Sequence, residues 1–470
     1  MGRTVPLPGL DMKLSVDVLR DQQPHHEARI DAHVRVEAVG VGPRDETPAV
    51  EIAVIIAVDA TEVRRDATES ALAAALRALP DGISFTVLGG APADGPGPSR
   101  CYPLRGRWAL ADGAERRRAA FSAGRIAPAA GGNPPIGYAT WLATARELFA
   151  ERVLPVRHLL LITDGSSRDD EDDAFRENSG LLAELAACEG AFTADVLAVG
   201  SDWDPGALLA VAERLHGAAE SVPDRFGPVV SGALRRLRRV RSPELPVEVT
   251  LRPAVLAAEL TETAPRQQPL DAVYRPDRVD FLTHQWEPGV RDYLLALRVD
   301  ASTDPLGVPL QLATVSVGGA TSPVVVRWLP PGAAAGPPGG GGGTVQAVND
   351  TTRMRTALKR GYAALDPLNR GEAEQQLGLA VRLADEMGVQ WVLEGIREVV
   401  EIVDARQGRV RVGPTVDPAS VRQGQLHIAS GHMVELPEGP AGRPVHCPDP
   451  DCRYPAGSHA RFCIKCGREL

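Results

Sequence analysis

The stretch VEIAVIIAVD, residues 50–59, is apolar almost without interruption and ends on an aspartate. It shows no polar alternation and therefore no wet face, and a strand of that kind belongs in the middle of a parallel sheet covered on both sides. The next segment, ATESALAAALRAL (67–79), spaces its apolar residues as a helix does and reads as the crossover that a parallel neighbour requires. The rhythm returns in GISFTVLGG (82–90), GYATWLATARELFAERV (137–153), RHLLLITDG (157–165), AFRENSGLLAELAACEG (174–190), AFTADVLAVG (191–200) and DPGALLAVAERLHG (204–217). Such a succession implies a doubly wound parallel α/β sheet with helices on both faces. Its expected span is 48–240, closed by PVVSGALRRLRRV (228–240).

At 470 residues the chain exceeds one ordinary core, so about two to four domains are expected. Residues 12–47 alternate apolar and polar in LSVDVL and RIDAHVRVEAV, which reads as a β-hairpin with one wet face. The alternation resumes across 246–328 in PVEVTLRP, VDFLTH, DYLLALRVDA, PLQLATVSV and SPVVVRWL. An antiparallel β-sandwich is expected there, with the N-terminal hairpin packed into it. PPGAAAGPPGGGGG marks a Gly/Pro linker over 329–344, because such a tract cannot offset the entropy of ordering. Residues 345–411 carry three helical segments, with Asp350 and Thr351 suited to an N-cap and Gly388 to a C-terminal stop, and read as a small helical bundle. Residues 412–445, rich in Gly, Pro and Ser, read as an irregular linker.

The last segment, HCPDPDCRYPAGSHARFCIKCGREL (446–470), places Cys447 and Cys452 in C-x4-C and Cys463 and Cys466 in C-x2-C, ten residues apart. Two close thiolate pairs suit tetrahedral Zn²⁺, and a segment this short needs such a staple to fold. A zinc ribbon with those four ligands is expected, with His446 and His459 as alternatives in the wider first pair. It would dock a partner or only fold this end of the chain. Cys101 and Cys188 stand apart and read as ordinary thiols of a reducing compartment.

A net charge of -10 and a pI near 5.6 argue against wrapping nucleic acid or an anionic membrane. The N-terminal segment lacks an apolar core of signal-peptide length, and no stretch of about 18 apolar residues occurs, so the expected address is the cytoplasm. RRLRRVR (235–241) is the one concentrated basic run, and RDDEDD (168–173) is its acidic counterpart. The first reads as the outer side of the closing helix and the second as a solvated loop. No Ser-His-Asp or Cys-His arrangement is readable, and GPPGGGGG lacks the Lys and Ser/Thr of a phosphate-binding loop. A non-enzymatic chain is expected.

Ligands of open α/β sheets sit beyond the strands' carboxyl ends, near the reversal of strand order. Asp59 and Asp164 (in LLLITDG) both end apolar runs. That arrangement, the order of elements, HLLLITDG and GSDW together resemble the Rossmann-like von Willebrand factor A (vWA) fold, and the chain from about residue 12 to 430 resembles bacterial, chiefly actinobacterial, vWA-domain proteins. The resemblance implies an Mg²⁺ site built from Asp-x-Ser-x-Ser, a Thr from a second loop and an Asp from a third. Here the first motif becomes Asp59, Thr61 and Val63, and GGNPPIG (131–137) puts Asn133 in the threonine's place. Val63 offers no oxygen, Asn133 offers an amide, and Asp164 keeps the third position. Thr140 is a displaced candidate and Glu62 an extra carboxylate. A degenerate Mg²⁺ site is therefore expected.

The resemblance further implies a protein-interaction scaffold or adaptor of a bacterial signalling or conflict system, gripping its partner through Asp59, Glu62 and Asp164. Two alternatives stay open. One is a metal-dependent enzyme or enzyme subunit using those acids, and the other is a nucleic-acid adaptor using the ribbon and Arg235 to Arg241.

Overall fold

The computed structural model describes residues 10–20, 22–24, 29–40, 50–59, 65–90, 100–104, 106–126, 136–165, 180–200, 203–222, 226–330, 333, 342–365, 369–429, 445–446 and 455–456. The chain divides into two compact units, an α/β unit of residues 40–243 with 284–288, and a β-rich unit with helices made from the rest.

Strands β1 (Leu10–Val18), β2 (Gln22–Pro24) and β3 (Arg29–Gly40) come first. The α/β unit then runs β4 (Ile52–Asp59), α1 (Arg65–Ala78), β5 (Ser84–Gly89), β6 (Arg100–Tyr102), β7 (Ala109–Leu110), α2 (Gly113–Ile126), α3 (Tyr138–Glu151), β8 (Val156–Thr163), α4 (Gly180–Cys188), β9 (Thr193–Val199), α5 (Pro205–Arg214), β10 (Ala219–Val222) and α6 (Phe226–Arg239). Its strand order is β10-β9-β8-β4-β5-β6, with β7 also on β5. The chain winds outward from β4 to one side through β5, then returns to the other side through β8, so winding reverses between β4 and β8. All eight residues of β4 are buried, as the missing alternation requires. One face packs Ile52, Val54, Ile56 and Val58 on Leu72, Leu76, Val230, Leu234 and Leu237 of α1 and α6, each such side chain contributing about 1.5–3 kcal/mol by leaving water. Trp141, Leu142 and Phe149 of α3 are buried as well.

Beyond α6 the strands are β11 (Ser242–Glu244), β12 (Val247–Leu251), β13 (Val255–Ala264), β14 (Gln268–Pro269), β15 (Ala272–Tyr274), β16 (Arg278–Phe281), β17 (His284–Trp286), β18 (Gly289–Val299), β19 (Pro309–Val317) and β20 (Ala320–Leu329). β11 pairs with β17, and the others join a sheet ordered β1-β3-β18-β13-β14 and another ordered β15-β16-β12-β19-β20-β2. The N-terminal strands belong to these sheets. β3 lies antiparallel to β18 from Ala38 opposite Gly289 to Arg29 opposite Arg298, and β2 runs parallel to β20. Helices α7 (Gly342–Ala363), α8 (Arg370–Met387) and α9 (Gln390–Arg397) follow, then the hairpin β21 (Glu401–Asp404) and β22 (Arg409–Arg411), α10 (Pro418–Ala429), and the short antiparallel pair β23 (Val445–His446) and β24 (Pro455–Ala456). The helices share a core of Leu358, Tyr362, Leu377, Val381, Leu393 and Ile396. Gly388 does end α8, with φ of 71°.

Several expectations need correction. The α/β sheet is mixed, because β6 and β7 pair antiparallel with β5, and a helix, α2, occupies a stretch with no apolar periodicity. Residues 284–288 leave the expected 246–328 sandwich for the α/β unit. There Trp286 is fully buried, its carbonyl accepts from the Arg241 amide at 2.7 Å, and the Pro288 carbonyl accepts from Arg239 Nη2 at 2.8 Å. The third helical segment stops at Arg397, and EIVD pairs as β21 with β22, since β-branched neighbours favour the pleated form. Within the expected 412–445 linker, residues 418–429 are helical. Asp417 caps that helix by accepting from the Ala419 and Ser420 amides, each at 3.2 Å, and Leu426 is fully buried.

Candidate functional site

Adjacent parallel strands β4 and β8 place Asp59 opposite Thr163, and Asp164 follows one residue later. The two acids of the sequence reading are thus neighbours at the carboxyl ends of the strands that flank the reversal, and the Asp164 amide donates to the Asp59 carbonyl at 3.1 Å. Both are nearly enclosed, at 5% and 6% exposure. Two carboxylates that deep carry a large desolvation cost unless hydrogen bonds meet them.

Thr163 supplies one. Its hydroxyl donates to Asp59 Oδ2 at 2.7 Å and accepts from the Gly165 amide at 3.0 Å. With its single proton spent on Asp59, Thr163 faces the Tyr138 hydroxyl at 3.3 Å as an acceptor, so Tyr138 donates. A one-way chain results, from Tyr138 through Thr163 to Asp59. Burial, with Asp59, Asp164 and Asp204 nearby, pushes the Tyr138 hydroxyl well above the usual phenol range. It stays protonated and remains a donor. Tyr138 opens α3, where Gly137 occupies the N-cap without a side-chain cap.

The third side of the edge is the loop before α5. Asp204 caps that helix by accepting from the Gly206 amide at 2.9 Å, and Trp203, 2% exposed, donates from Nε1 to the Gly200 carbonyl at 2.9 Å. Gly165 has φ of +81° and lies so close to Trp203 that a Cβ would overlap the Trp203 backbone. Two loops of the edge thus interlock around a residue that has to be glycine.

Thr61, Glu62, Val63 and Asn133 lie outside the described residues, as do Cys447, Cys452, Cys463, Cys466 and His459. Thr140 is half-buried in the first turn of α3, with its carbonyl accepting from Thr144 Oγ1 at 2.8 Å. The sequence reading missed Tyr138 and Thr163. Their signals were adjacency, Thr163 to Asp164 and Tyr138 to the GGNPPIG loop.

At the opposite end of the same strands is a second buried polar group that the sequence reading also missed. His158 Nδ1 is 2.8 Å from Thr193 Oγ1 and its Nε2 is 3.4 Å from Asp195 Oδ2. Asp195 also accepts from the Ala218 amide at 2.8 Å and from Arg236 Nη2 at 3.3 Å. Burial alone would raise this carboxyl, but His158, Arg236 and the Ala218 amide hold it well below the usual carboxylate range. The basic run is largely engaged in this way. Arg236 meets Asp195, Arg239 pairs with Glu287 at 3.2 Å, and Arg241 donates to the Arg238 carbonyl at 3.1 Å. Cys188 is a buried thiol that burial and the adjacent Glu184 push up to about 12, an inert setting.

The sheet order, the reversal between β4 and β8 and the paired acids at their ends agree with a match of residues 52–221 to the von Willebrand factor type A domain. This unit is a vWA domain. Around the vWA domain, the likeness in fold extends over nearly the whole chain. A solved structure described as von Willebrand factor type A from Catenulispora acidiphila superposes with a TM-score of 0.75 at 20% identity, covering 92% of this chain and 98% of its own. The ArnB paralog VWA2 from Sulfolobus acidocaldarius gives 0.49 at 10% identity, covering 89% of this chain and 98% of its own. No curated protein sequence matches. No described helix is long and apolar enough to cross a membrane.

Proposed function

We propose that the carboxyl edge of the vWA domain is a protein-docking site that works without Mg²⁺, and that the chain is a non-enzymatic adaptor of a bacterial signalling or conflict system. vWA domains commonly mediate protein–protein interaction. The observation that carries the metal-free reading is the bond from Thr163 to Asp59, which engages one carboxylate oxygen in a chain of protein hydroxyls. The donor set points the same way. Mg²⁺ demands near-octahedral oxygen ligation, while Val63 has no oxygen to give and Asn133 gives an amide in place of a hydroxyl. Asp59, Asp164 and Glu62 then serve as acceptors for a partner's N–H and O–H groups.

The second part of the reading is a C-terminal zinc ribbon held by Cys447, Cys452, Cys463 and Cys466, supported by ligand spacing. A nucleic-acid role is disfavoured by the intramolecular engagement of Arg236, Arg239 and Arg241 described above. The test is affinity capture from the native host with the intact chain, with Asp59→Ala/Asp164→Ala, and with a chain ending at residue 445, each with and without chelator. The double variant is expected to lose a captured partner by about tenfold or more, or ~1.4 kcal/mol, while Mg²⁺ has no effect. Zinc added back after chelation should restore whatever the ribbon holds. Capture that chelator abolishes and Mg²⁺ alone restores contradicts the proposal.

A further inference from the structure

Helix α7 carries a buried cation in the β-rich unit that no part of the docking reading uses. Arg355 is 7% exposed, yet among the described residues its guanidinium makes one hydrogen bond, from Nη1 to the Thr263 carbonyl at 2.8 Å. Among those residues no carboxylate pairs with it, and burial alone pulls its pKa down to about 10. A guanidinium has five N–H donors in a planar fork. Enclosing one without an anion costs several kcal/mol, and native proteins ordinarily meet that with a paired carboxylate.

The surroundings are polar. Thr352 and Thr356 flank Arg355 on its helix, one turn before it and one residue after. Gln267, from the turn between β13 and β14, donates Nε2 to the Thr352 carbonyl at 3.2 Å, while its Oε1 is fully enclosed without a hydrogen-bond partner. The unused nitrogens of Arg355 are not among the sealed, unpartnered atoms of the protein, so they touch accessible space. The planar fork of Arg355 matches the oxygens of a carboxylate or phosphate in two-point contact.

We propose that Arg355, fixed against the Thr263 carbonyl beneath α7, anchors a binding site for an oxyanion, either a phosphate or a carboxylate group. The ligand supplies the negative charge that no described residue places beside Arg355. The site is independent of the vWA edge and stands or falls without it.

The test is thermal unfolding of the full chain in sodium phosphate, in sodium acetate, and in sodium chloride at equal ionic strength, paired with isothermal titration of inorganic phosphate and of acetate. The wild-type midpoint is expected to rise by about 2–4 °C in the preferred anion at tenfold excess over its dissociation constant. A response to phosphate alone assigns the phosphate class, and one to acetate alone the carboxylate class. Arg355→Met should lose that response while remaining at least as stable as wild type in chloride, because it removes an uncompensated buried charge. Arg355→Lys, which keeps charge but not the fork, should weaken binding by about tenfold. No saturable binding of either anion to the wild type, or an unchanged response in Arg355→Met or Arg355→Lys, overturns the proposal. If Arg355→Met does not fold, the wild-type titrations and Arg355→Lys decide.

Discussion

Asp195→Ala is expected to cost about 3–5 kcal/mol of unfolding free energy, measured by urea denaturation at neutral pH. The carboxylate lies between strands β9 and β8 and ties together three elements. It accepts from Ala218 before β10 and from Arg236 of α6, and it faces His158. Removing it leaves the buried Ala218 amide and the buried His158 without this partner, which is worse than never having built the group. Asp195→Asn keeps an acceptor for the Ala218 amide and should lose less, about 1–3 kcal/mol. The pH dependence has a definite sign. The folded-state value of Asp195 is depressed, so its stabilisation is complete above the ordinary carboxylate range near 4 and is lost as pH falls through the lower folded value. The gap between wild type and Asp195→Asn should therefore be constant from neutral pH down to about 5 and narrow in stronger acid.

Gly165→Ala should destabilise the vWA domain by about 2–4 kcal/mol, from a left-handed backbone costing about 1–2 kcal/mol and overpacking costing about 1–3. The collision is with the main chain of Trp203, which no side-chain rotation relieves. Because Gly165 also donates its amide to Thr163, the displacement should disturb the hydroxyl chain to Asp59. Thermal unfolding together with Trp203 fluorescence reads both effects. A variant with wild-type midpoint and spectrum would contradict the interlocked-edge description.

The α/β core was legible because burial on both faces leaves an unmistakable mark. Ile52 to Val58 have nowhere to go but the middle of a sheet, and an acid that ends such a run must stand at its rim. Asp59 and Asp164 follow directly. Tyr138 does not, since it reaches Thr163 only after a crossover helix brings residues 25 apart in sequence together, and nothing local announces that contact. Asp195 did leave a trace, an acid inside the otherwise apolar TADVLAV, which register with RHLLLI could have matched to His158. Helix α10 was hidden because it lies within a Gly-, Pro- and Ser-rich stretch of weak periodicity, while its own apolar residues such as Leu426 carry its packing. The 284–288 segment was illegible for a different reason. Its strand pattern is ordinary, and tertiary partners such as Arg239, Arg241 and Thr193 draw it into the α/β unit.

In the proposed docking role, the paired acids at the strand ends serve a partner without first loading a cation. Isothermal titration of Mg²⁺ and Mn²⁺ into the full chain is the most direct check. Heats no different from dilution up to about millimolar metal, in wild type and in Asp59→Ala alike, are the expected result. A saturable site of millimolar or tighter affinity that vanishes in Asp59→Ala would contradict it.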